Sequence, residues 1–324
     1  MLQASAWIND YIGDKKGTII TALPLYHIFS LTANCLTFTR YGWRNYLITN
    51  PRDINGIVKE LKATEFHVLT GVNTLFNGLL NHPDFKTIDW SNFAFALGGG
   101  MAVQRGVAER WKEVTGTTLI EAYGLTETSP AACMNPMNLK EFNGKIGLPI
   151  SSTEVSIQDD DWNDVALGEH GEICIRGPQV MQSYWQRPKE TSNVLSNDGW
   201  LHTGDIGFID EDGFVQIVDR KKDMILVSGF NVFPNEVEEV IASHPGVVEV
   251  GVIGKPDEHS GEVVMAVVVK KDAALTEESL RDFCREGLTS YKVPRSIVFT
   301  EELPKTNVGK ILRRELRDQY ITGT

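Results

Sequence analysis

The spacing of apolar residues up to about Asn143 constrains this chain most: short β-branched runs alternate with helical stripes that are apolar on one side. Thr18 to Leu25 reads as a strand. Asp53 stands where it can cap a helix whose Ile54, Ile57, Val58 and Leu61 share a face. Val68 to Gly71 reads as another short strand, and Leu75, Phe76, Leu79 and Leu80 suit a buried helical stripe. Strands alternating with one-faced helices pack as a layered α/β arrangement, so this portion is expected to form one βαβ half of a larger sheet.

The texture changes at Gly144. From there to about Asp219, short alternating runs (Glu154 to Ile157, Gly171 to Arg176, Phe208 to Val218) are broken by Gly, Pro and Asp pairs, the pattern of a small β-barrel-like subdomain. Asp219 to Asp223 is a charged interruption between apolar runs and reads as an interdomain hinge. Beyond it, Asn235 to Ser243 and Thr276 to Glu286 look helical, while Val247 to Ile253 and Val263 to Val269 look like strands. The expected division is therefore residues 1–143, part of a large α/β domain; 144–219, β-rich; and 220–324, a compact, mobile α+β domain. The charged stretch from Ile311 to Tyr320 reads as a helix with a solvated face.

A chain of 324 residues with 42% hydrophobic and 23% charged residues has room for two or more domains with their own cores. Its longest apolar run, Val263 to Val269, is far too short to span a bilayer, and no charged and apolar leader opens the chain. A cytoplasmic protein without a transmembrane segment is expected. The formal net charge of -12 argues against a general nucleic-acid surface, which needs a basic stripe. Cys35, Cys133, Cys174 and Cys284 lack paired metal-type spacing and read as reduced thiols.

Three strings carry chemistry. Tyr123-Gly124-Leu125-Thr126-Glu127 follows the apolar Leu119-Ile120, which places it at a strand's carboxyl end, where open α/β sheets bind ligands. A tyrosine ring there can stack on a purine, Gly124 permits close backbone approach, Thr126 can bond a phosphate oxygen, and Glu127 offers Mg²⁺ a hard oxygen ligand. Gly98-Gly99-Gly100 can lie flat against a planar base, or form an ordinary loop. His202-Thr203-Gly204-Asp205 sets a carboxylate on a tight Gly turn, able to accept both hydroxyls of a ribose or simply to cap the turn; Arg220 can add a donor to the same sugar or to a phosphate. Lys310, in a loop after Pro304-Lys305-Thr306-Asn307-Val308-Gly309, is a mobile point charge suited to a transition state that gathers negative charge. Taken singly, each string also has a plainer reading as a turn or a surface group.

Together these strings, from Pro24-Leu25-Tyr26-His27 to Lys310, resemble the core motifs of the adenylate-forming superfamily of acyl-CoA synthetases, luciferases and peptide-synthetase adenylation domains. Thr21 to Phe29, Leu201 to Ile206, Val218 to Val232 and Leu303 to Leu316 are similar to the corresponding segments of bacterial long-chain fatty-acid CoA ligases. The similarity covers essentially the whole chain. It implies a ligase that turns a long-chain fatty acid and Mg-ATP into an acyl-adenylate and pyrophosphate, then lets the CoA thiol expel AMP. By that resemblance Tyr123 stacks on adenine beside Gly98, Gly99 and Gly100, and Gly124 lies in the same string. Thr126 contacts phosphate, Glu127 binds Mg²⁺, and Asp205 and Arg220 hold the ribose. Lys310 serves adenylation, and His27 lies near the acyl and thiol path. Lys222 is the hinge about which the small domain turns, bringing the Gly229 loop to the CoA channel. Leu25, Ile28, Phe29, Leu31 and Leu36 could line an acyl tunnel, or be plain core.

The resemblance also implies a Ser/Thr/Gly-rich phosphate loop with a lysine, upstream of Pro24-Leu25-Tyr26-His27. This chain does not contain it, and Thr115-Gly116-Thr117-Thr118 reads as a helix-to-strand turn rather than a substitute. The reading is thus the C-terminal portion of a long-chain fatty-acid CoA ligase, its partners a separate N-terminal part or a second copy of itself. The alternatives are a catalytically silent remnant that binds AMP or acyl-adenylate, and a peripheral membrane module at the inner face. Little or no acyl-CoA is expected from the isolated chain; robust AMP release dependent on palmitate, ATP and CoA would overturn that expectation.

Overall fold

A computed structural model describes residues 1–12, 15–307 and 309–322. The chain divides into two units, Met1–Thr203 with Gly207–Ile217, and Gly204–Ile206 with Val218–Thr324. The first unit is built on β1 (Thr18–Thr21), β2 (Arg44–Leu47), β3 (Val68–Gly71), β4 (Phe95–Gly98), β5 (Leu119–Gly124), β6 (Ala131–Met134) and β7 (Leu148–Pro149), in the order β2-β1-β3-β4-β5-β6-β7. From β2 to β5 all neighbours are parallel; β6 and β7 are added antiparallel. Every residue of β1, β3 and β4 is buried, as parallel strands covered on both faces require. The α/β class expected from the alternation is what forms.

Local signals act where they were expected to. Asp53 accepts a hydrogen bond from the Gly56 amide at 2.9 Å and caps the helix Ile54–Ala63, whose Ile57, Val58 and Leu61 are buried. Thr115-Gly116 does turn the helix Arg105–Thr115 toward β5, with Gly116 in the left-handed region as its cap. Trp111, fully buried on that helix, packs edge-on against Phe76 with ring centroids 4.9 Å apart and against Trp90 at 5.5 Å.

The strand expected over Thr18 to Leu25 ends early, at Thr21. Pro24 lacks an N–H and cannot extend a ladder. The chain turns instead into a π-helical segment, Ser30–Leu36. Asn34 ties this segment to the sheet: its amide donates to Thr21 Oγ1 at 3.0 Å and to Thr70 Oγ1 at 2.7 Å, all three residues being buried.

A four-stranded sheet follows, β8 (Glu154–Gln158), β9 (Gly171–Arg176), β10 (Leu201–Ile209) and β11 (Val215–Arg220), in the order β11-β10-β9-β8. The single run expected from Phe208 to Val218 is interrupted. Asp210 Oδ1 accepts from the amides of Asp212 at 3.0 Å and Phe214 at 2.9 Å, and this turn separates β10 from β11.

The second unit has a five-stranded sheet of β12 (Ile225–Val227), β13 (Phe230–Val232), β14 (Val247–Asp257), β15 (Gly261–Lys270) and β16 (Ser296–Thr300), in the order β13-β12-β15-β14 with β16 parallel to β15. The apolar run Val263 to Val269 is uninterrupted because β15 is covered on both faces. Val264, Ala266 and Val268 join Val237, Ile241, Leu280 and Cys284 of the helices Pro234–Ala242 and Glu277–Gly287. Met265 and Val267 join Leu303 and Leu316 on the other face. The helix expected over Ile311 to Tyr320 is shorter and changes pitch: Arg313–Arg317 is α-helical and Asp318–Thr322 is π-helical.

Leu316, fully buried, therefore anchors the segment that follows Lys310. Leu316→Ala is expected to cost about 2–5 kcal/mol, the range for truncating a buried leucine, read as a lower urea midpoint.

Candidate active site

In the first unit, the residues singled out from the sequence gather after strand ends. Gly98, Gly99 and Gly100 lie at and just beyond the end of β4, and Tyr123 and Gly124 close the neighbouring parallel strand β5. Thr126 and Glu127 follow in a single 3₁₀ turn, Thr126–Thr128. His27 lies in the turn after β1, where its Nδ1 accepts from the Phe29 amide at 3.3 Å. These are the carboxyl ends of parallel strands, the edge at which open α/β sheets bind ligands.

Gly124 has a structural reason to be glycine. A Cβ there would lie 1.5 Å from the Pro130 carbonyl oxygen, because β6 folds back against β5 across a register shift between Tyr123 and Gly124. The close approach is made by the chain itself. The plain-core reading of the apolar stripe needs correction as well: Phe29 is buried, but Leu25, Leu31 and Leu36 are 36–42% exposed and Tyr26 is 75% exposed.

Glu127 has a neighbour that no sequence motif flagged. The Tyr184 hydroxyl donates to Glu127 Oε1 at 2.8 Å. Burial, and then the Glu127 carboxylate, push the Tyr184 hydroxyl up to about 12, so it stays a donor through the neutral range. Among the described residues, no group of three or more His, Cys, Asp and Glu side chains could hold a metal ion. One hard carboxylate still suits Mg²⁺, which is ordinarily held by one or two carboxylates together with substrate phosphates.

In the second unit, strings far apart in sequence come together. Asp205 does not sit on a tight turn, as expected; it lies within β10, where Gly204 takes a φ of +73° and the strand continues. Arg220, at the end of β11, reaches it with Nε 3.2 Å from Asp205 Oδ1. The carboxylate is buried while the arginine side chain is 38% exposed. Lys310 lies in a closed loop: the Thr306 amide donates to the Lys310 carbonyl at 2.8 Å, Thr306 Oγ1 accepts from the Lys310 amide at 3.1 Å, and Lys305 pairs with Glu249 at 2.7 Å. Val308 lies outside the described residues. Burial, with Arg220 next in weight, holds the Lys310 ammonium below the ordinary lysine range, while Asp205 pulls the other way.

Lys222 is exposed in the 3₁₀ turn Lys221–Asp223. Gly229, with a φ of +84°, completes with Ser228 the two-residue turn between β12 and β13.

The charged stretch read as a solvated face is a correction of larger consequence. Arg313 is largely buried, with Nη1 3.1 Å from Asp219 and Nη2 2.8 Å from Glu238, while Nη2 also donates to Asn235 Oδ1 at 2.6 Å. Asp223 joins through Arg317 at 2.8 Å. Asp219 Oδ2 accepts the Asn235 amide at 2.7 Å and so caps the helix Pro234–Ala242, whose own N-cap position, Phe233, has no side-chain acceptor. Burial raises Asp219 and Glu238 above the usual carboxylate range, and Arg313 opposes that in both.

A profile described as AMP-binding enzyme matches residues 1–185, and one described as AMP-binding enzyme C-terminal domain matches residues 236–310. Long-chain-fatty-acid--CoA ligase of Escherichia coli O157:H7 is 58% identical over 317 residues, covering 98% of this chain and 56% of the relative. The protein of the same name from Yersinia pestis is 59% identical over 319 residues, covering 98% and 57%. The chain thus spans little more than half the length of these curated relatives. A solved anthranilate CoA ligase in complex with anthranoyl-AMP superposes with a TM-score of 0.91 at 28% identity, over 99% of this chain and 63% of that one.

Two outcomes follow from the second unit. Arg313→Met leaves carboxylates buried without their cation and is expected to cost about 3–5 kcal/mol in denaturant unfolding. Since Lys310 loses its proton at lower pH than ordinary lysine, pH-dependent acylation read by mass spectrometry should reach half-modification at a lower pH at Lys310 than at the exposed lysines.

Proposed function

This chain belongs to the AMP-binding enzyme family, and on that premise we propose that it is the nucleotide-binding and adenylating portion of a long-chain fatty-acid CoA ligase. The chemistry is activation of a carboxylate by ATP, giving an acyl-adenylate and pyrophosphate, followed by attack of the CoA thiol and release of AMP. Tyr123 stacks on the adenine beside the Gly98 to Gly100 segment, and Gly124 shapes the adjoining backbone. Thr126 contacts phosphate. Asp205 accepts the ribose hydroxyls, and Arg220 donates to the sugar or a phosphate. Lys310 neutralises charge gathering on the carboxylate and α-phosphate. His27 lies near the acyl and thiol path, Lys222 is the hinge, and the Gly229 turn serves the CoA-dependent step. Glu127 is the Mg²⁺ ligand; the ion, when bound, neutralises phosphate charge.

The observation that carries this reading is the meeting of Asp205, Arg220 and Lys310 in one electrostatic neighbourhood, although Lys310 comes from a string far along the chain from the other two. A sugar acceptor, a phosphate donor and a desolvated ammonium are the groups an adenylate needs. The names of the relatives supply the long-chain acid and CoA as substrates. Among the described residues no helix is long and apolar enough to cross a membrane.

Calorimetric titration with AMP and Mg²⁺, followed by ATP–pyrophosphate exchange, tests the proposal. Binding that weakens about tenfold in Asp205→Ala and in Tyr123→Ala supports it, each change being worth about 1.4 kcal/mol. Lys310→Ala should lower exchange about 10²- to 10³-fold with AMP affinity retained. Binding without exchange favours a silent nucleotide-binding remnant; absence of AMP binding overturns both readings.

A further inference from the structure

Two segments of the first unit, residues 127–131 and 179–184, are laced together at four points. The Met181 amide donates to the Glu127 carbonyl at 2.8 Å, Ser129 Oγ donates to the Gln179 carbonyl at 3.0 Å, and Gln179 Nε2 donates to the Ala131 carbonyl at 3.2 Å. The fourth tie is different in kind. It joins side chain to side chain, Tyr184 hydroxyl to Glu127 Oε1. The first three join the two segments through the Glu127 and Ala131 carbonyls and the Ser129 hydroxyl, and of the four only the last acts on the Glu127 carboxylate.

Tyr184 is itself held. Its amide donates to Thr191 Oγ1 at 3.0 Å, and that hydroxyl donates to the Arg187 carbonyl at 2.8 Å at the start of the helix Pro188–Ser192. The phenol is therefore presented from an anchored backbone. A donor fixed on Oε1 restricts rotation of the carboxylate and leaves Oε2 to face a cation.

We infer that Tyr184 is a positioning residue that holds the Glu127 carboxylate in the orientation in which it binds the divalent ion of the nucleotide. The inference rests on the reading of Glu127 as a Mg²⁺ ligand. Groups that orient a metal-ligating carboxylate typically change metal affinity by about 10- to 100-fold when removed. Tyr184→Phe removes one hydroxyl and keeps the ring and the other three ties.

The test titrates Mn²⁺, as a spectroscopic substitute for Mg²⁺, into this chain saturated with a non-hydrolysable ATP analogue, following water-proton relaxation; metal-free AMP affinity and the melting temperature are measured alongside. Tyr184→Phe is expected to weaken Mn²⁺ about 10-fold while AMP affinity stays within about twofold of the unchanged chain, and to add nothing further on a Glu127→Gln background. A merely structural tyrosine would instead lower the melting temperature and both affinities together, which overturns the inference. So does unchanged or tighter Mn²⁺ binding by Tyr184→Phe when Glu127→Gln weakens it. If Glu127→Gln leaves Mn²⁺ affinity intact, or the unchanged chain shows no analogue-dependent Mn²⁺ binding, the reading of Glu127 fails first and the inference fails with it.

Discussion

The guanidinium of Arg313 is the group on which the second unit depends. It lies between Asp219 at the end of β11 and Glu238 on the helix Pro234–Ala242, with Asp223 nearby. Burial of carboxylates without such a cation costs several kcal/mol each, so strand, helix and tail can meet here only with the charge in place. The neighbours in sequence matter. Arg220 follows Asp219 directly, and Lys310 lies three residues before Arg313. Arg220 and Lys310, the two cations proposed to meet the nucleotide, are thus held on short leashes from one buried ionic knot.

Patterns with a local cause were legible in the sequence. The alternation of strands and helices, the Asp53 cap and the Gly116 helix end each depend on residues within a few positions of one another, and each forms as expected. The α/β class was legible for the same reason. Features decided by distant partners were not. Gly204-Asp205 has the composition of a turn, yet the pairing of β10 with its neighbours carries the strand through it. The charges after Lys310 suggest solvent exposure until Asp219 and Glu238, which lie far back in the chain, are placed beside Arg313. Tyr184 lies outside every string that was singled out. Only the fold brings its hydroxyl to Glu127.

The apolar stretch after β1 shows the same limit from another side. Its residues alternate between burial and exposure because the backbone adopts π-helical geometry, and that geometry is fixed by Asn34, a polar residue bonded to Thr21 and Thr70 across two strands. An apolar stripe at helical spacing would ordinarily face a core. More residues per turn change which side chains share a face, and Leu31 and Leu36 turn outward while Phe29, just before the segment, stays in.

Comparison of the two arginines separates scaffold from site. Arg313 has its hydrogen-bonding capacity spent on Asp219, Asn235 and Glu238, and it is largely buried, so no incoming ligand can engage it without dismantling the unit. Among the described residues Arg220 meets the Asp205 carboxylate through Nε, and it keeps more than a third of its side-chain surface open. Its remaining guanidinium donors can serve an anion without breaking the fold. Lys310 completes the contrast. Partial burial and the nearby Arg220 and Arg313 disfavour its proton, while Asp205 and Asp223 oppose them. A phosphate beside it would offset the like charges, since opposite charges attract more strongly where water is partly excluded than in bulk water. Under the proposed role of Lys310, the same partial burial would strengthen its pairing with a nucleotide whose charge is growing, which is the condition for differential stabilisation of a transition state over its ground state.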